Sequence, residues 1–381
     1  MINSRLIIKL SIFLLLNLSH SLLHGQVSVS VAGDGYGISP VLIGFNGRST
    51  EGPSWTDSGF LQYVDSLYPG TVRYPAGTQS NYWDWRTGTF IEGCGKTAKY
   101  IFTISDFVAG LPAESEIIYA VNIARPTPST GISIFSSEEI LASEATLQAK
   151  ISDILDALGE IESRGRMPMA AEIGNELYFD SEHAAIYAAN PTLYISHAKK
   201  LISELKSVYP DIRILLCTSK GGTVLRDYWN NEIFTALASD AAFEDMVHAV
   251  VQHHYINSAY GDPADVIDTG TAQKAIAEGF LYTAEISGDY DMVPGGIALW
   301  ITEYGATKEN AEGTWASGLR AAALTLGMLN LGNKIEILNF HHITEAPNVL
   351  NKDMMKAGPA GLSLGLLGRA ARGKQEGYKL S

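Results

Sequence analysis

Ala170-Ala171-Glu172-Ile173-Gly174-Asn175-Glu176, the stretch from Pro191 to Val208, and Ile212-Arg213-Ile214-Leu215-Leu216-Cys217-Thr218-Ser219 follow one another in this chain and read as a single unit. The two outer runs are short and apolar, and each ends in polar residues, as a buried strand does where it opens into a loop. The middle stretch begins with Pro191, which suits the first turn of a helix, and carries Leu201 and Leu205 one turn apart. Strands joined through such a helix pair in parallel. The same alternation extends in both directions. Strand candidates are Val41–Gly47, Thr71–Gly77, Ile117–Ala124, Ala170–Glu176, Ile212–Ser219, Ala249–Tyr255, Ala298–Gly305 and Ile335–His342. Helix candidates are Thr56–Leu67, Thr146–Ser163, Pro191–Val208, Tyr228–Ala238, Ala272–Ile286, Thr314–Leu331 and Gly361–Arg372. Eight strands in this alternation predict an α/β fold closed into a (β/α)8 TIM barrel. The rival is an open doubly wound sheet. Against it, Phe45-Asn46-Gly47-Arg48 stands where a Gly-rich phosphate loop would follow the first strand.

The first residues are read apart from the fold. Arg5 and Lys9 accompany an apolar run from Leu6 to Leu18, and a polar, small-residue stretch from Ser19 to Gln26 follows. This pattern predicts a signal peptide over 1–26 and a secreted, periplasmic or extracellular location. A membrane anchor is the competing reading, and the run is short for a span. Residues 27–381 then form one domain of the size such a barrel needs, with 46% hydrophobic residues in the chain to build a large core. A net charge of −14 disfavours nucleic acid and anionic membrane as partners and suits a neutral or weakly charged ligand. The two cysteines, Cys94 in a Gly-rich loop and Cys217 in an apolar strand, predict free thiols rather than a bridge.

Two carboxylates stand at predicted strand ends, Glu176 on the fourth strand and Glu303, within Trp300-Ile301-Thr302-Glu303-Tyr304-Gly305, on the seventh. In a barrel both face the mouth where the βα loops gather. Opening a glycosidic bond with retention needs two carboxyl groups about 5–5.5 Å apart, one to donate a proton and one to attack. Arg73 ends the second strand, and Glu172, two pleats below Glu176 on the same face, is a candidate partner for it. His253 and Tyr255 share a face at the end of the sixth strand. Asn122 reads as a sugar contact or as a turn cap. Trp83 and Trp85, with Tyr82, read as stacking platforms for sugar rings or as loop anchors. Tyr304 is placed at the mouth and Trp300 in the core. Paired histidines at His253-His254 and His341-His342 raise a metal site, but no third ligand stands at a suitable spacing. No metal and no cofactor is expected.

Gly174-Asn175-Glu176 and Thr302-Glu303-Tyr304-Gly305 resemble the strand-four and strand-seven signatures of clan A glycoside hydrolases. Arg73-Tyr74-Pro75-Ala76-Gly77 resembles the Arg-x-Pro-Gly-Gly segment of family 51 arabinofuranosidases, with Ala76 where Gly is usual. The resemblance, nearest to families 51, 79 and 39, implies Glu176 as acid/base, Glu303 as nucleophile and Asn175 as a hydrogen-bond partner of the sugar 2-hydroxyl. It implies that Tyr255 contacts the nucleophile, and that Arg73 and His253 belong to the same site. The expected function is a secreted retaining glycoside hydrolase acting on plant or algal polysaccharide, with α-L-arabinofuranosidase first. A β-glucuronidase or heparanase-like enzyme and a β-xylosidase are alternatives. A non-catalytic carbohydrate-binding protein on the same barrel is the alternative of another class. A metal-dependent barrel hydrolase would want His-x-His near the end of strand one, which Phe45-Asn46-Gly47-Arg48 does not supply. Barrels of these families commonly carry a β-sandwich. Val27–Ile38 reads as a candidate strand of one, vestigial or truncated, since no C-terminal strands follow the last helix candidate.

Overall fold

The computed structural model describes residues 39–47, 55–98, 101–179, 185–257, 291–307, 314–329, 335–341, 350–351 and 356–372, with residues 275–277, 279, 282, 286, 288, 331 and 343. Eight strands close into a barrel. They are β1 (Ile43–Asn46), β2 (Thr71–Tyr74), β3 (Glu116–Val121), β4 (Ala170–Ile173), β5 (Arg213–Cys217), β6 (Ala249–Asn257), β7 (Ala298–Thr307) and β8 (Ile335–Phe340). Neighbours pair in parallel throughout, and β8 returns to β1 through Ile43↔Leu338 and Phe45↔Phe340. Each strand coincides with a predicted run; β3 begins one residue early, and β6 and β7 extend two residues further.

The described helices of seven or more residues outside the barrel are α1 (Ser58–Ser66), α2 (Ile104–Gly110), α3 (Glu144–Ser163), α4 (Pro191–Val208), α5 (Val224–Ser239), α6 (Trp315–Leu329) and α7 (Pro359–Ala371). Their starts follow from local chemistry. Asp57, Ser143, Asn190 and Thr223 each accept a hydrogen bond from a first-turn amide of α1, α3, α4 and α5, and Pro191 opens α4. Helix α2 was not expected. Its seven residues are too few for a periodic signal, but Thr103 and Asp106 form a reciprocal capping box at its start. The helix candidate Ala272–Ile286 falls largely outside the described residues. So do the candidate signal peptide 1–26 and the candidate sandwich strand Val27–Ile38. Beyond the barrel, the sheets among the described residues are two two-stranded pairs, Trp83–Asp84 with Thr89–Phe90 and Leu350–Asn351 with Lys356–Ala357. No helix among them is long and apolar enough to cross a membrane. Cys94 and Cys217 are both free, the second buried in β5.

The period of two along each strand divides the apolar residues into two cores. The larger lies between strands and helices, and Val72, Tyr74, Ile173, Leu216 and Tyr304 enter it from the outer face of the barrel. The smaller fills the lower barrel interior with Ile118, Ala170, Leu215, Ala249, Val251, Trp300 and Ile337. Trp300 is its largest side chain, and its indole N–H donates to Glu336 Oε2 at 2.9 Å. Above this apolar plug, towards the strand C-termini, the interior turns polar. Trp300→Ala should therefore destabilise the fold by about 3–5 kcal/mol in urea unfolding, because the barrel wall cannot collapse into the space left.

Candidate active site

Arg73 organises the polar upper layer of the barrel. Val72 and Tyr74 face outward, so Arg73 points to the axis, and it is fully buried there. Its Nε and Nη2 donate to the two oxygens of Glu172 at 2.6 and 2.7 Å, a bidentate pair. Nη1 donates to Glu303 Oε1 at 2.5 Å and to Asn46 Oδ1 at 2.9 Å, and Nη2 also donates to Asn175 Oδ1 at 2.7 Å. These five contacts match the five N–H donors of a guanidinium. Burial alone would favour loss of its proton, but Glu172 and Glu303 more than offset this and bind the proton more firmly than in water.

Glu303 reaches the interior through a break in strand register. On β7, Ala298, Trp300 and Thr302 alternate inward. Pairing then jumps from Gln252↔Ile301 to His253↔Glu303, so one extra residue of β7 opposes β6, and Leu338↔Ile301 followed by Phe340↔Tyr304 shows the same excess against β8. This β-bulge turns Glu303 inward directly after Thr302. Tyr255 Oη donates a short hydrogen bond to Glu303 Oε2, and His253 Nδ1 and His341 Nε2 lie 3.5 and 3.9 Å from the same oxygen. Burial pushes the Glu303 proton affinity up. The positive fields of His253, Arg73 and His341 and the Tyr255 hydrogen bond more than reverse this, holding the carboxyl well below the usual carboxylate range.

Glu176 is positioned by a sharp end to β4. Gly174 adopts φ +85°, and its amide donates back to Glu172 O at 2.9 Å. A Cβ there would sit 2.4 Å from Leu177 Cδ1, so glycine is required. Glu176 itself has φ +48°. Its side chain is 15% exposed against 3% for Glu303, so it is the more open of the two carboxylates. Glu176 Oε1 contacts His253 Nδ1 at 2.9 Å and accepts from Tyr178 Oη at 3.3 Å, while His253 Nε2 contacts Thr302 Oγ1 at 3.2 Å. Burial would lower the His253 proton affinity, but Glu303 and Glu176 outweigh it and the shift is upward. Between Glu176 and Arg73, Asn175 is fully buried, with its carbonyl accepting from Asn81 Nδ2 at 2.8 Å. Its Nδ2 has no partner among the described residues. One ligand atom each from Glu176, His253 and Glu303 lies within 4.8 Å of the others. The two carboxylates thus approach the spacing expected of a retaining pair.

The structure brings Glu176, Glu303, Asn175, Arg73, His253 and Tyr255 together, with Glu172 paired to Arg73. Asn122, Trp83, Trp85 and Tyr304 stand elsewhere. Asn122 Oδ1 accepts from Arg125 N at 3.1 Å, the turn-cap geometry. It lines a small cavity with Trp83, Trp85 and Asp153 of α3. The expectation of stacking platforms is corrected by packing. Trp83 is 2% exposed, with its ring edge-on to Tyr74. Trp85 is covered by the Arg86 guanidinium and donates to Asp153 Oδ1. Tyr304 lies behind the barrel wall, hydrogen-bonded to Thr325 of α6 at 2.8 Å, because the residue after an inward Glu303 must point out. Asn46, Asn81, Tyr178, Thr302 and His341 were not expected among the contacts of this cluster. For Asn46 the signal was available: it ends β1 on the same face as Gly44. The metal reading gains a third ligand that spacing within one strand could not supply, since Glu176, His253 and Glu303 come from three strands.

Removing Arg73 would leave two buried carboxylates without their cation. Arg73→Met should cost about 3–5 kcal/mol in denaturant unfolding, and adding Glu172→Gln should recover part of that. Since the Glu303 carboxyl is held low, its stabilising contribution is present above the unfolded carboxyl value of about 4.3 and is lost as pH falls. The stability gap between wild type and Glu303→Gln should shrink in acid, as thermal unfolding at pH 3 and pH 6 would show.

No protein-family model matches the chain, and no curated protein sequence matches it. Solved structures do. A family 51 α-L-arabinofuranosidase from Bifidobacterium longum aligns at TM-score 0.58 and 15% identity, over 87% of this chain and 73% of that one. The GH51 arabinofuranosidase from Xanthomonas axonopodis pv. citri aligns at 0.59 and 12%, over 87% and 73%. A family 39 glycoside hydrolase from the gut symbiont Bacteroides cellulosilyticus WH2 aligns at 0.53 and 14%, over 91% and 68%. The chain shares its fold with these glycoside hydrolases, and in it that fold is a closed (β/α)8 barrel.

Proposed function

We propose that this protein is a retaining glycoside hydrolase with Glu303 as nucleophile and Glu176 as acid/base. The observation that carries the reading is the pair itself: two carboxylates from β4 and β7, with one oxygen of each within 4.8 Å at the mouth of the barrel. Their surroundings fit two different tasks. Glu303 is buried, carries hydrogen bonds from Arg73 and Tyr255, and keeps its negative charge, as an attacking carboxylate must. Glu176 is more open and sits where it can meet a leaving group and then water.

In the first step a Glu303 oxygen bonds to the anomeric carbon, the bond from that carbon to the leaving oxygen breaks, and the Glu176 proton passes to the leaving oxygen. In the second step Glu176, now a carboxylate, takes a proton from water. The water oxygen bonds to the anomeric carbon, and Glu303 departs as a carboxylate. Asn175 Nδ2, buried and unpartnered among the described residues, is the donor for the 2-hydroxyl. Arg73 and Tyr255 orient the nucleophile and disperse its charge. Leaving either oxygen of Glu303 free to attack requires one of these contacts to loosen as the new bond forms.

The substrate is a carbohydrate, and the family 51 likeness favours an α-L-arabinofuranoside in plant or algal polysaccharide. A β-glucuronidase or heparanase-like activity and a β-xylosidase are the alternatives. Residues 1–26 support secretion. The second reading, a metal hydrolase at Glu176, His253 and Glu303, is disfavoured by the Arg73 cation on Glu303, which competes for the oxygens an ion would need.

On a panel of aryl glycosides the purified chain should cleave one sugar, and EDTA should leave the rate unchanged. Glu303→Ala should be inactive, and azide should restore turnover to a glycosyl azide of inverted configuration. Glu176→Ala should lose about 10²–10⁴-fold on poor leaving groups and far less on activated ones. Activity that survives Glu303→Ala, or that chelation abolishes, would sink this reading.

A further inference from the structure

Arg73, Arg86, Arg164 and Arg372 each rest on a carboxylate. Arg226, in the first turn of α5, has no carboxylate partner among the described residues. Its half-buried guanidinium lies 5.5 Å from the ring centroid of Tyr178 and 4.9 Å from that of Phe179, and its N–H groups have no hydrogen-bond partner among the described residues. Asp227, its acidic neighbour in sequence, accepts from Gly222 N at 3.0 Å instead. Stacking on aromatic faces fixes the plane of a guanidinium and leaves its N–H edge free to fork onto an oxyanion. A partly desolvated cation held this way is costly unless something pairs with it.

What it stands next to gives the ligand. Tyr178 Oη donates to Glu176 Oε1, so one aromatic ring separates Arg226 from the acid/base. The backbone is held there as well: Thr223 caps α5 by accepting from Arg226 N, and Ser219, clasped by Asn230, donates to Arg226 O. An acid/base protonates the leaving oxygen. Arg226 reaches the site through Tyr178 on Glu176 and is not among the described contacts of Glu303, which associates it with the leaving group rather than with the sugar that Glu303 attacks.

We propose that Arg226 is a specificity-determining residue on the leaving-group side, and that it binds a carboxylate or sulfate carried by that group. The substrate is then an acidic saccharide whose charge lies beyond the cleaved bond. This rests on the glycosidase reading, and it holds despite the net charge of −14, because an anion in contact with Arg226 meets that guanidinium before the summed charge of the molecule.

The test uses glycosides of the cleaved sugar with 4-carboxyphenyl, 4-sulfophenyl and neutral 4-carbamoylphenyl leaving groups. Wild type should prefer a charged leaving group over the neutral one by about tenfold in kcat/KM, the size of one charge-assisted hydrogen bond. Whichever anion is preferred identifies the source, uronate or sulfate ester. Arg226→Gln should bring the ratio to about one, Arg226→Lys should keep part of it, and 0.5 M salt should reduce it in wild type. A purely structural role would lower all three rates together and leave the ratio intact. Equal rates on charged and neutral substrates in wild type overturn the subsite while the hydrolase stands. If no aryl glycoside is cleaved, calorimetry with oligogalacturonate and a sulfated oligosaccharide separates the two ideas. Binding that Arg226→Gln weakens about tenfold keeps the anion subsite and drops the hydrolase, whereas no binding, or binding the variant retains, overturns the subsite.

Discussion

A single guanidinium in the middle of the barrel sets the terms for everything above the apolar plug. Arg73 spends all five donors on Glu172, Glu303, Asn46 and Asn175, which come from β1, from the end of β4 and from β7. A charge this deep is tolerable only when fully paired, and two carboxylates around one cation leave an excess of negative charge at the mouth. That excess raises the proton affinity of His253, which joins Glu176 to Glu303. Structure and chemistry are therefore linked through one residue. The ion pair that closes the upper barrel is also what holds the candidate nucleophile ionised and in place.

Two local departures from regular strand geometry aim the carboxylates. On β4 the strand stops at Ile173, and Gly174 at positive φ swings Asn175 and Glu176 over the rim. On β7 the bulge after Thr302 lets Thr302 and Glu303 both face inward, so that Thr302 steadies His253 while Glu303 meets Arg73. Ala76, just after β2, also has a positive φ, of 70°. This is a conformation that glycine adopts more readily than alanine, so Ala76 holds a strained backbone there. Strain of this kind gathers at the C-terminal end of the barrel strands because the rest of the fold is able to hold it.

The fold was legible because every strand carries the outward half of its pattern clearly, and the helices between them begin at recognisable caps. The six residues that meet at the mouth were also legible, since each stands at the C-terminal end of a predicted strand. The Arg73–Glu172 pair followed from the rule that a buried charge needs a partner. What failed did so for definite reasons. Strict alternation gives no warning of a bulge, so the side to which Glu303 and Tyr304 point could not be derived from β7 alone. Loop aromatics look alike whether they face a ligand or a helix, and Trp83 and Trp85 turned to the protein. Helix α2 is too short to show a period. Ligand sets drawn from three strands, such as Glu176, His253 and Glu303, leave no spacing in one dimension.

The low similarity to solved glycosidases means that fold alone carries over from them, and the chemistry has to be argued from the pair of carboxylates. Its central claim is that they stand close enough for direct attack by Glu303 rather than for attack by an intervening water. The most direct measurement is proton NMR of the first-formed product from an aryl glycoside that the chain turns over, recorded before mutarotation. The account predicts that the free sugar appears first as the same anomer as the substrate. First appearance of the opposite anomer would mean that water attacks in a single step, and the assignment of Glu303 as nucleophile would be wrong.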